Sequence, residues 1–341
     1  MGDKTGIEWT DATWNPTTGC EKVSPGCDNC YIERTPPFRM EGRKFLPVRA
    51  AGESKVGQAT DVRLHPERLD QPLRWTRPRR VFVNSLSDLF HKDVPDEFIA
   101  RVWAVMAAAE RHTFQVLTKR PARARSLLRS VDFWRMVSYR LEDMGIDADV
   151  SHIDPPSNVW LGTSVEDQER ADLRIPVLLD TPAAVRFLSC EPLLGPVRLD
   201  DWDFPVPGLD KTSVDWVIVG GESGPNARPM HPAWARSLRD QCVAGGIAFH
   251  FKQWGEWAPA RSTGIAGHDV ANVQVSKTRF QYETDTFLPD CRRYDPRASM
   301  GDELCSSGNP AMVHMVKIGK KNAGRVLDGR TWDDEPGRGD A

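Results

Sequence analysis

Short apolar runs that end abruptly in polar residues recur along the chain. Each run is rich in β-branched or aromatic residues, as buried strands of parallel sheets are. The clearest runs are Val81–Val83, Phe114–Leu117, Val159–Leu161, Val185–Leu188, Trp216–Val219 and Ile247–Phe251. A further strand is expected near residues 13–18, so the pattern predicts about seven strands.

Between several of these runs, apolar residues recur at helical spacing. This periodicity predicts helices over Asp96–Arg111, Pro121–Arg140 and Pro232–Ala244. The positions expected to face inward are Phe98, Val102, Val105, Met106, Ala109, Leu127, Leu128, Val131, Trp134, Trp234, Leu238 and Val243. Strands that alternate with helices indicate βαβ units and a parallel sheet.

The number of predicted strands favours an α/β fold built as a full or partial (β/α) barrel, with a doubly wound open sheet as the alternative. In both architectures the polar residues that follow the strands converge on one edge, so the site is expected to draw on many strands. We expect the barrel to span residues 1–260 with a basic insertion at 36–80. Residues 261–341 then form a packed extension with a frayed tail from residue 330.

Composition excludes several classes of protein. The 341 residues are 40% hydrophobic and 27% charged, as in ordinary globular chains, and seven cysteines are too few and odd in number for a disulfide scaffold. The first residues lack the apolar core of a secretory signal, and no run approaches the ~20 apolar residues of a membrane span. We therefore expect a cytoplasmic protein with reduced thiols and no membrane partner.

The net charge of −3 hides an uneven distribution. Residues 34–80 hold 12 Lys and Arg against 5 Asp and Glu, and residues 119–140 hold 7 against 1. Residues 141–172 reverse the balance, with 1 basic residue against 9 acidic ones. The basic stretches predict a phosphate-binding face, and solvated helix faces are the alternative.

The strongest local signal is a loop in which Cys20, Cys27 and Cys30 have the spacing C-x6-C-x2-C. Closely spaced cysteines in a reduced compartment commonly bind metal, and thiolates suit zinc or iron–sulfur clusters. A structural zinc site prefers four ligands, but the next cysteine is Cys190 and the next histidine is His65. Three thiolates suit a [4Fe–4S] cluster with one open iron, while a zinc site and unligated structural cysteines stay open as alternatives.

A three-cysteine loop after a short first strand, in front of a β/α barrel, resembles the radical S-adenosylmethionine (SAM) superfamily. Further motifs accompany the loop, namely Ile7–Thr10, Trp14–Pro16, Gly19–Cys20, Ser24–Cys27, Cys30–Tyr31, Asn84–Asp88 and Gly220–Gly224. With these motifs the chain more narrowly resembles a phage-associated family of uncharacterised radical SAM-like proteins named for a three-cysteine motif, distantly similar to spore photoproduct lyase. The first cysteine gap is six residues here, where most superfamily members have three.

The resemblance implies that Cys20, Cys27 and Cys30 hold a [4Fe–4S] cluster whose fourth iron chelates SAM. One electron from a low-potential donor then cleaves SAM to a 5′-deoxyadenosyl radical. A dedicated partner protein accompanies many members of the family, so a SAM-binding subunit of a modification complex is one alternative. The basic segments and the phage association favour a nucleic acid or nucleotide substrate, and a zinc-stabilised nucleic-acid-binding protein is the other alternative.

Polar residues at the strand ends supply the remaining candidates. The predicted cofactor-binding residues are Tyr31, Ser85, Asp88, Thr163, Ser164, Glu166, Gly220, Gly221, Glu222 and Ser223. For these, the alternatives are helix caps and a tight strand–helix turn.

Three further residues are predicted to be catalytic. Cys190 would donate hydrogen, Glu191 would act as an acid or base, and Lys119, beside Arg120, would bind a phosphate or carboxylate. The alternatives are a buried thiol for Cys190 and ordinary surface charge for Lys119. Trp254 and Trp257 are candidates for base stacking, with core packing as the alternative.

Overall fold

The computed structural model describes residues 5–48, 57–146, 155–199, 214–259, 272–276 and 312–337. The chain divides into two compact units. The first unit comprises Met1–Ser164, Asp172–Ser189 and Trp202–Asp215. The second unit comprises Val165–Ala171, Cys190–Asp201 and Trp216–Ala341.

The strands are β1 (Ala12–Trp14), β2 (Thr17–Thr18), β3 (Leu46–Val48), β4 (Gly57–Ala59), β5 (Arg63–Leu64), β6 (Arg80–Val83), β7 (Thr113–Thr118), β8 (Val159–Ser164), β9 (Val185–Cys190), β10 (Trp216–Gly220), β11 (Ala248–Gln253), β12 (Trp257–Pro259), β13 (Asn272–Ser276) and β14 (Met312–Lys317). The helices are α1 (Pro36–Met40), α2 (Asp96–Ala108), α3 (Pro121–Leu128), α4 (Val131–Glu142), α5 (Gln168–Leu179), α6 (Pro232–Gly245) and α7 (Lys320–Ala323). Short 3-10 helices cover Pro25–Cys27, Tyr31–Arg34, Pro66–Arg68 and Pro72–Arg74.

In the first unit, five strands form a parallel sheet in the order β1-β6-β7-β8-β9. The predicted basic insertion adds two small antiparallel pairings, β2 with β5 and β3 with β4. In the second unit, β10 and β11 pair in parallel, and β14 lies between β12 and β13 in an antiparallel sheet. The α/β prediction is therefore confirmed, and the strand–helix alternation is compatible with a partial β/α barrel.

The helices depart from the sequence pattern in three places. The predicted helix over 121–140 is two helices, because Ser130 caps a new one by accepting a hydrogen bond of 3.3 Å from the Phe133 amide. Val131 and Val243 were expected to face inward, but 49% of Val131 and 62% of Val243 is exposed. Helix α5 was not predicted.

Most of the predicted C-terminal extension, residues 260–271 and 277–311, lies outside the described residues, as does the end of the tail from residue 338. The part of the tail that is described differs from the expected frayed segment. The Phe251 amide donates to the Trp332 carbonyl at 2.9 Å, and the Asp334 amide donates to the Phe249 carbonyl at 3.2 Å. Within the described segments, no helix has the length and apolar character needed to cross a membrane.

Candidate functional site

The cysteine loop of the first unit begins at Gly19, which is positioned against another backbone segment. Gly19 has φ +101°, and a Cβ atom there would lie 1.9 Å from the Asp61 carbonyl oxygen, so only glycine fits. The following turns are tight: the Cys27 amide donates to the Ser24 carbonyl at 2.8 Å, and the Cys30 amide donates to the Cys27 carbonyl at 3.3 Å. These turns keep Cys27 and Cys30 close in space.

Each cysteine of the loop has its own polar neighbour. The Arg120 guanidinium donates to Cys20 Sγ at 3.9 Å, and the Ser24 hydroxyl lies 3.8 Å from Cys27 Sγ. The backbone at Ile32 favours the thiolate form of Cys30. All three cysteine residues are partly exposed.

Burial dominates the acidity of two of these thiols. It raises the pKa of Cys20 to about 12, although the Arg120 guanidinium acts in the opposite direction. Burial also raises the pKa of the Cys30 thiol, which the Ile32 amide and the Lys119 ammonium lower in part. Without a metal both side chains are therefore neutral thiols at pH 7, and metal binding would release their protons.

The strand ends β7 and β8 meet beside this loop. Lys119 Nζ donates to Ser164 Oγ at 2.9 Å, so a predicted catalytic residue and a predicted cofactor-binding residue lie together. The neighbouring Thr163 hydroxyl donates instead to the Thr118 carbonyl at 2.9 Å, within the sheet. Ser164 is thus the one of these two hydroxyl residues that contacts a cation.

Tyr31 and Ser85 are also brought together, since the Tyr31 hydroxyl donates to the Ser85 carbonyl oxygen. The Asp88 carboxylate is buried and accepts hydrogen bonds from Arg120 and from the Lys119 amide, at 2.9 and 3.0 Å. Asp88 therefore holds the Arg120 guanidinium in place and does not itself offer its carboxylate to a ligand.

The three cysteine thiols of the loop are ligands that suit a soft metal ion or an iron–sulfur cluster. Three thiols sit on one short segment, and the apolar side chains Ile32, Phe38 and Leu86 pack against Cys20 and Cys30. Among the described residues, no three His, Cys, Asp or Glu side chains are already grouped to hold a metal ion. The loop thus supplies ligands of the right chemistry but not a finished coordination sphere.

In the second unit, the predicted cofactor-binding residue Glu222 is fully engaged by an arginine. Arg228 donates to both carboxylate oxygens of Glu222, from Nε at 2.8 Å and from Nη2 at 2.7 Å, and its backbone amide adds a third bond of 2.8 Å. Glu222 is buried, and 11% of the Arg228 side chain is exposed. Ser223 accepts a hydrogen bond of 3.0 Å from Gln253 Nε2. These contacts give both residues a structural explanation.

The glycines that precede Glu222 allow close packing within the second unit. A Cβ atom on Gly221 would lie 1.9 Å from the Trp254 carbonyl oxygen, and one on Gly220 would lie 2.9 Å from the Glu191 carboxylate. The alternative interpretation of a tight turn therefore accounts for Gly220 and Gly221 without a ligand.

Glu191 is paired with a lysine that is not among the residues predicted from the sequence. Lys252 Nζ lies 2.7 Å from Glu191 Oε1. The β10–β11 register shifts at Gly220, so Lys252 is an extra residue in its strand. Such a bulge leaves no signal in the hydrophobic pattern, which is why sequence reasoning missed it.

The remaining candidates of the second unit are buried. Cys190 and Glu166 have no exposed surface, and burial raises the pKa of the Cys190 thiol well above its ordinary value. Trp254 and Trp257 are buried as well, and their indole N–H groups donate to the Val326 and Ala227 carbonyls at 2.9 and 2.6 Å. Core packing, rather than base stacking, therefore explains the two tryptophans.

Ion pairs neutralise much of the charge that predicted a phosphate-binding face. Within residues 119–140, the paired arginines and their acidic partners are Arg120 with Asp88, Arg123 with Asp96, Arg125 and Arg129 with Asp180, Arg135 with Asp132 and Arg140 with Asp143. In the basic insertion, Arg43 and Arg63 share Asp61, and Arg74 pairs with Asp70. Less positive charge is therefore available to a phosphate backbone than the sequence suggests.

Comparison with known proteins places the chain in one family. The chain belongs to the family described as "Protein of unknown function (DUF5131)", whose model matches residues 4–336. No curated protein and no solved structure matches the chain significantly. The family description carries no activity, so the resemblance to radical SAM proteins stays a prediction.

Proposed function

We propose that the protein is a radical SAM enzyme in which Cys20, Cys27 and Cys30 hold a [4Fe–4S] cluster. The observation that carries this proposal is the position of the cysteine loop, which lies beside the β7 strand end where Lys119 meets Ser164. Cationic and hydroxyl groups there suit the carboxylate and ribose of SAM. The parallel strand–helix alternation is compatible with the partial β/α barrel of that superfamily.

The chain's own residues have distinct tasks in this proposal. The cysteines hold the cluster, which when bound supplies one electron for reductive cleavage of the carbon–sulfur bond in SAM. Lys119 and Ser164 bind the SAM carboxylate or ribose. Tyr31 ties the end of the loop to Ser85, and the apolar side chains beside Cys20 and Cys30 keep water from the cluster face.

The substrate and partners rest on the sequence alone. A nucleic acid or nucleotide substrate, a low-potential electron donor and a dedicated partner protein stay hypotheses, and the paired arginines weaken the case for nucleic acid. Cys190 and Glu191 stay candidates for hydrogen or proton transfer, although Cys190 is fully buried and Glu191 is held by Lys252. A zinc site in the same loop is the alternative, and a protein with such a site would assemble no iron–sulfur cluster and cleave no SAM.

The test is SAM cleavage by the anaerobically reconstituted protein under a low-potential reductant. We expect 5′-deoxyadenosine to form with the wild-type protein and with Cys242→Ala, which removes a buried thiol far from the loop in sequence. Cys27→Ala is expected to form none. Equal product from the wild-type protein and Cys27→Ala, or none from a wild-type protein that carries its cluster, would refute the proposal.

A further inference from the structure

The turn after β7 directs an arginine at the cysteine loop and fixes it at several points. Arg120 Nη1 donates to Cys20 Sγ at 3.9 Å and to Asp88 Oδ2 at 2.9 Å. Its Nη2 donates to the Glu21 carbonyl oxygen at 3.2 Å. Two of these three contacts are made to the cysteine loop, so the guanidinium ties the loop to the end of a sheet strand.

The Asp88 carboxylate that anchors Arg120 is itself held independently of it. Asp88 Oδ1 accepts from the Thr118 hydroxyl at 2.8 Å and from the Phe90 amide at 3.0 Å, and Oδ2 accepts from the Lys119 amide at 3.0 Å. Asp88 and Arg120 are both largely buried, with 6% and 15% of their side chains exposed. The guanidinium is therefore preorganised where it meets the sulfur, rather than sampling many rotamers in water.

A cation fixed in this place has a specific effect on a metal–thiolate centre. Three thiolates gather negative charge on one loop, and a buried arginine keeps its positive charge at every accessible pH. Hydrogen bonds and charges next to ligand sulfurs change metal affinity and reduction potential. Loss of such a positive charge is expected to loosen the metal and to make reduction of a cluster harder.

We infer that Arg120 is a positioning residue of the three-cysteine centre, held by Asp88, that orients Cys20 and stabilises its metal-bound form. The inference rests on one part of the proposed function, namely that the three cysteines bind metal together. It does not depend on which metal is bound or on the reaction. The Lys119 ammonium also favours the thiolate form of Cys30, but it donates its hydrogen bond to Ser164. Arg120 donates directly to a cysteine sulfur.

The experiment is a Co²⁺ titration followed by thiolate-to-cobalt absorption on Arg120→Gln, Arg120→Lys and the wild-type chain. The matched control is Arg125→Gln, which removes an arginine of α3 whose side chain is 42% exposed and whose partner is Asp180 at 3.2 Å. We expect Arg120→Gln to weaken Co²⁺ binding about tenfold or more. Arg120→Lys restores most of the affinity because it restores the charge, and Arg125→Gln leaves the affinity unchanged.

Three results overturn the inference: equal affinities for Arg120→Gln and the wild type, no rescue by Arg120→Lys, or the same loss in Arg125→Gln. A wild-type chain that takes up no Co²⁺ overturns it as well. The midpoint potential is a second measurement, and its value does not depend on how much of the protein is folded. In reconstituted iron–sulfur protein, the midpoint potential of Arg120→Gln is expected to be more negative than that of Arg120→Lys and the wild type, and equal potentials overturn the inference.

The two proposals fail in different ways. A wild-type chain that binds Co²⁺ through its cysteines but assembles no iron–sulfur cluster refutes the proposed function. The Co²⁺ titration of the Arg120 variants then still decides the role of Arg120. A cluster that assembles and keeps the same metal affinity and potential without the Arg120 guanidinium refutes only the inference.

Discussion

The Lys119 ammonium donates a hydrogen bond of 2.9 Å to the Ser164 hydroxyl, across the ends of two neighbouring strands. The sequence assigned these residues to separate roles, one catalytic and one in cofactor binding. Burial raises the pKa of Cys30, and the Lys119 ammonium opposes this rise. The next residue, Arg120, donates to Cys20 Sγ at 3.9 Å, so this turn lies against the cysteine loop. The pair therefore marks the polar edge at which a ligand of the loop would be held.

Replacing Ser164 by alanine is expected to weaken SAM binding about tenfold in the reconstituted protein. The reason is that the variant removes both a hydroxyl at the proposed site and the acceptor that orients Lys119, and a hydrogen bond to a charged group contributes about 1.5–3 kcal/mol. Equilibrium dialysis with labelled SAM measures the change.

Thr163→Val is the matched control, because the neighbouring hydroxyl donates to the Thr118 carbonyl within the sheet. It is expected to lower the free energy of unfolding by about 1 kcal/mol and to leave the SAM affinity unchanged. Equal SAM affinities for Ser164→Ala and the wild type would show that Ser164 does not contribute to SAM binding.

Glu222→Gln is expected to lower the free energy of unfolding by about 3 kcal/mol or more. The substitution removes the carboxylate charge that pairs with the largely buried Arg228 guanidinium, and breaking a buried pair in this way is costly. Urea titration measures the loss.

Glu169→Gln provides the comparison, since Glu169 pairs with Arg170 while 69% of its own side chain is exposed. Its expected cost is below about 1 kcal/mol. If Glu222→Gln is instead as stable as the wild type but binds SAM more weakly, Glu222 is a cofactor-binding residue, as the sequence predicts.

The stability of the protein is expected to fall above pH 9 through Cys242. Burial raises the pKa of this thiol on α6 from its ordinary value of 9.0 to about 12. Between these values the unfolded chain loses a proton that the folded chain keeps, so the free energy of unfolding falls as pH rises, by up to about 1.4 kcal/mol per pH unit. Below pH 9 the contribution is fully present.

Urea unfolding of the wild type and of Cys242→Ala at pH 8 and 10.5 tests this expectation. The stability advantage of the wild type over the variant is expected to shrink by about 1–2 kcal/mol over that range. Parallel pH curves for the two proteins would show that Cys242 does not titrate as described.

Much of the fold was predictable because buried parallel strands leave a continuous apolar run in the sequence. The run at 216–219 is observed as β10, and helix α2 begins at Asp96, as the sequence predicts. The break between α3 and α4 was missed because it depends on one capping hydroxyl, that of Ser130, inside an otherwise regular apolar pattern. Periodicity also placed Val131 and Val243 inward, although both lie near helix ends, where the pattern is weakest.

The candidate site was predictable only in part. The cysteine loop and Lys119 follow from spacing and from their position after a strand, whereas the partners of a side chain depend on tertiary contacts. Glu222 meets Arg228, and Gly221 meets the Trp254 backbone, through a loop geometry that the glycine-rich motif does not specify. Ion pairing likewise hides the charge of the basic segments, because each acidic partner lies elsewhere in the chain or on the next helical turn.

The iron and acid-labile sulfide content of anaerobically reconstituted protein tests the iron–sulfur cluster most directly. The proteins to compare are the wild type, the triple variant Cys20→Ala/Cys27→Ala/Cys30→Ala and, as control, Cys242→Ala. We expect about four iron and four sulfide per chain in the wild type and the control, and neither in the triple variant. One zinc and no iron in the wild type, even after reconstitution, would contradict this expectation and leave a structural metal in the cysteine loop.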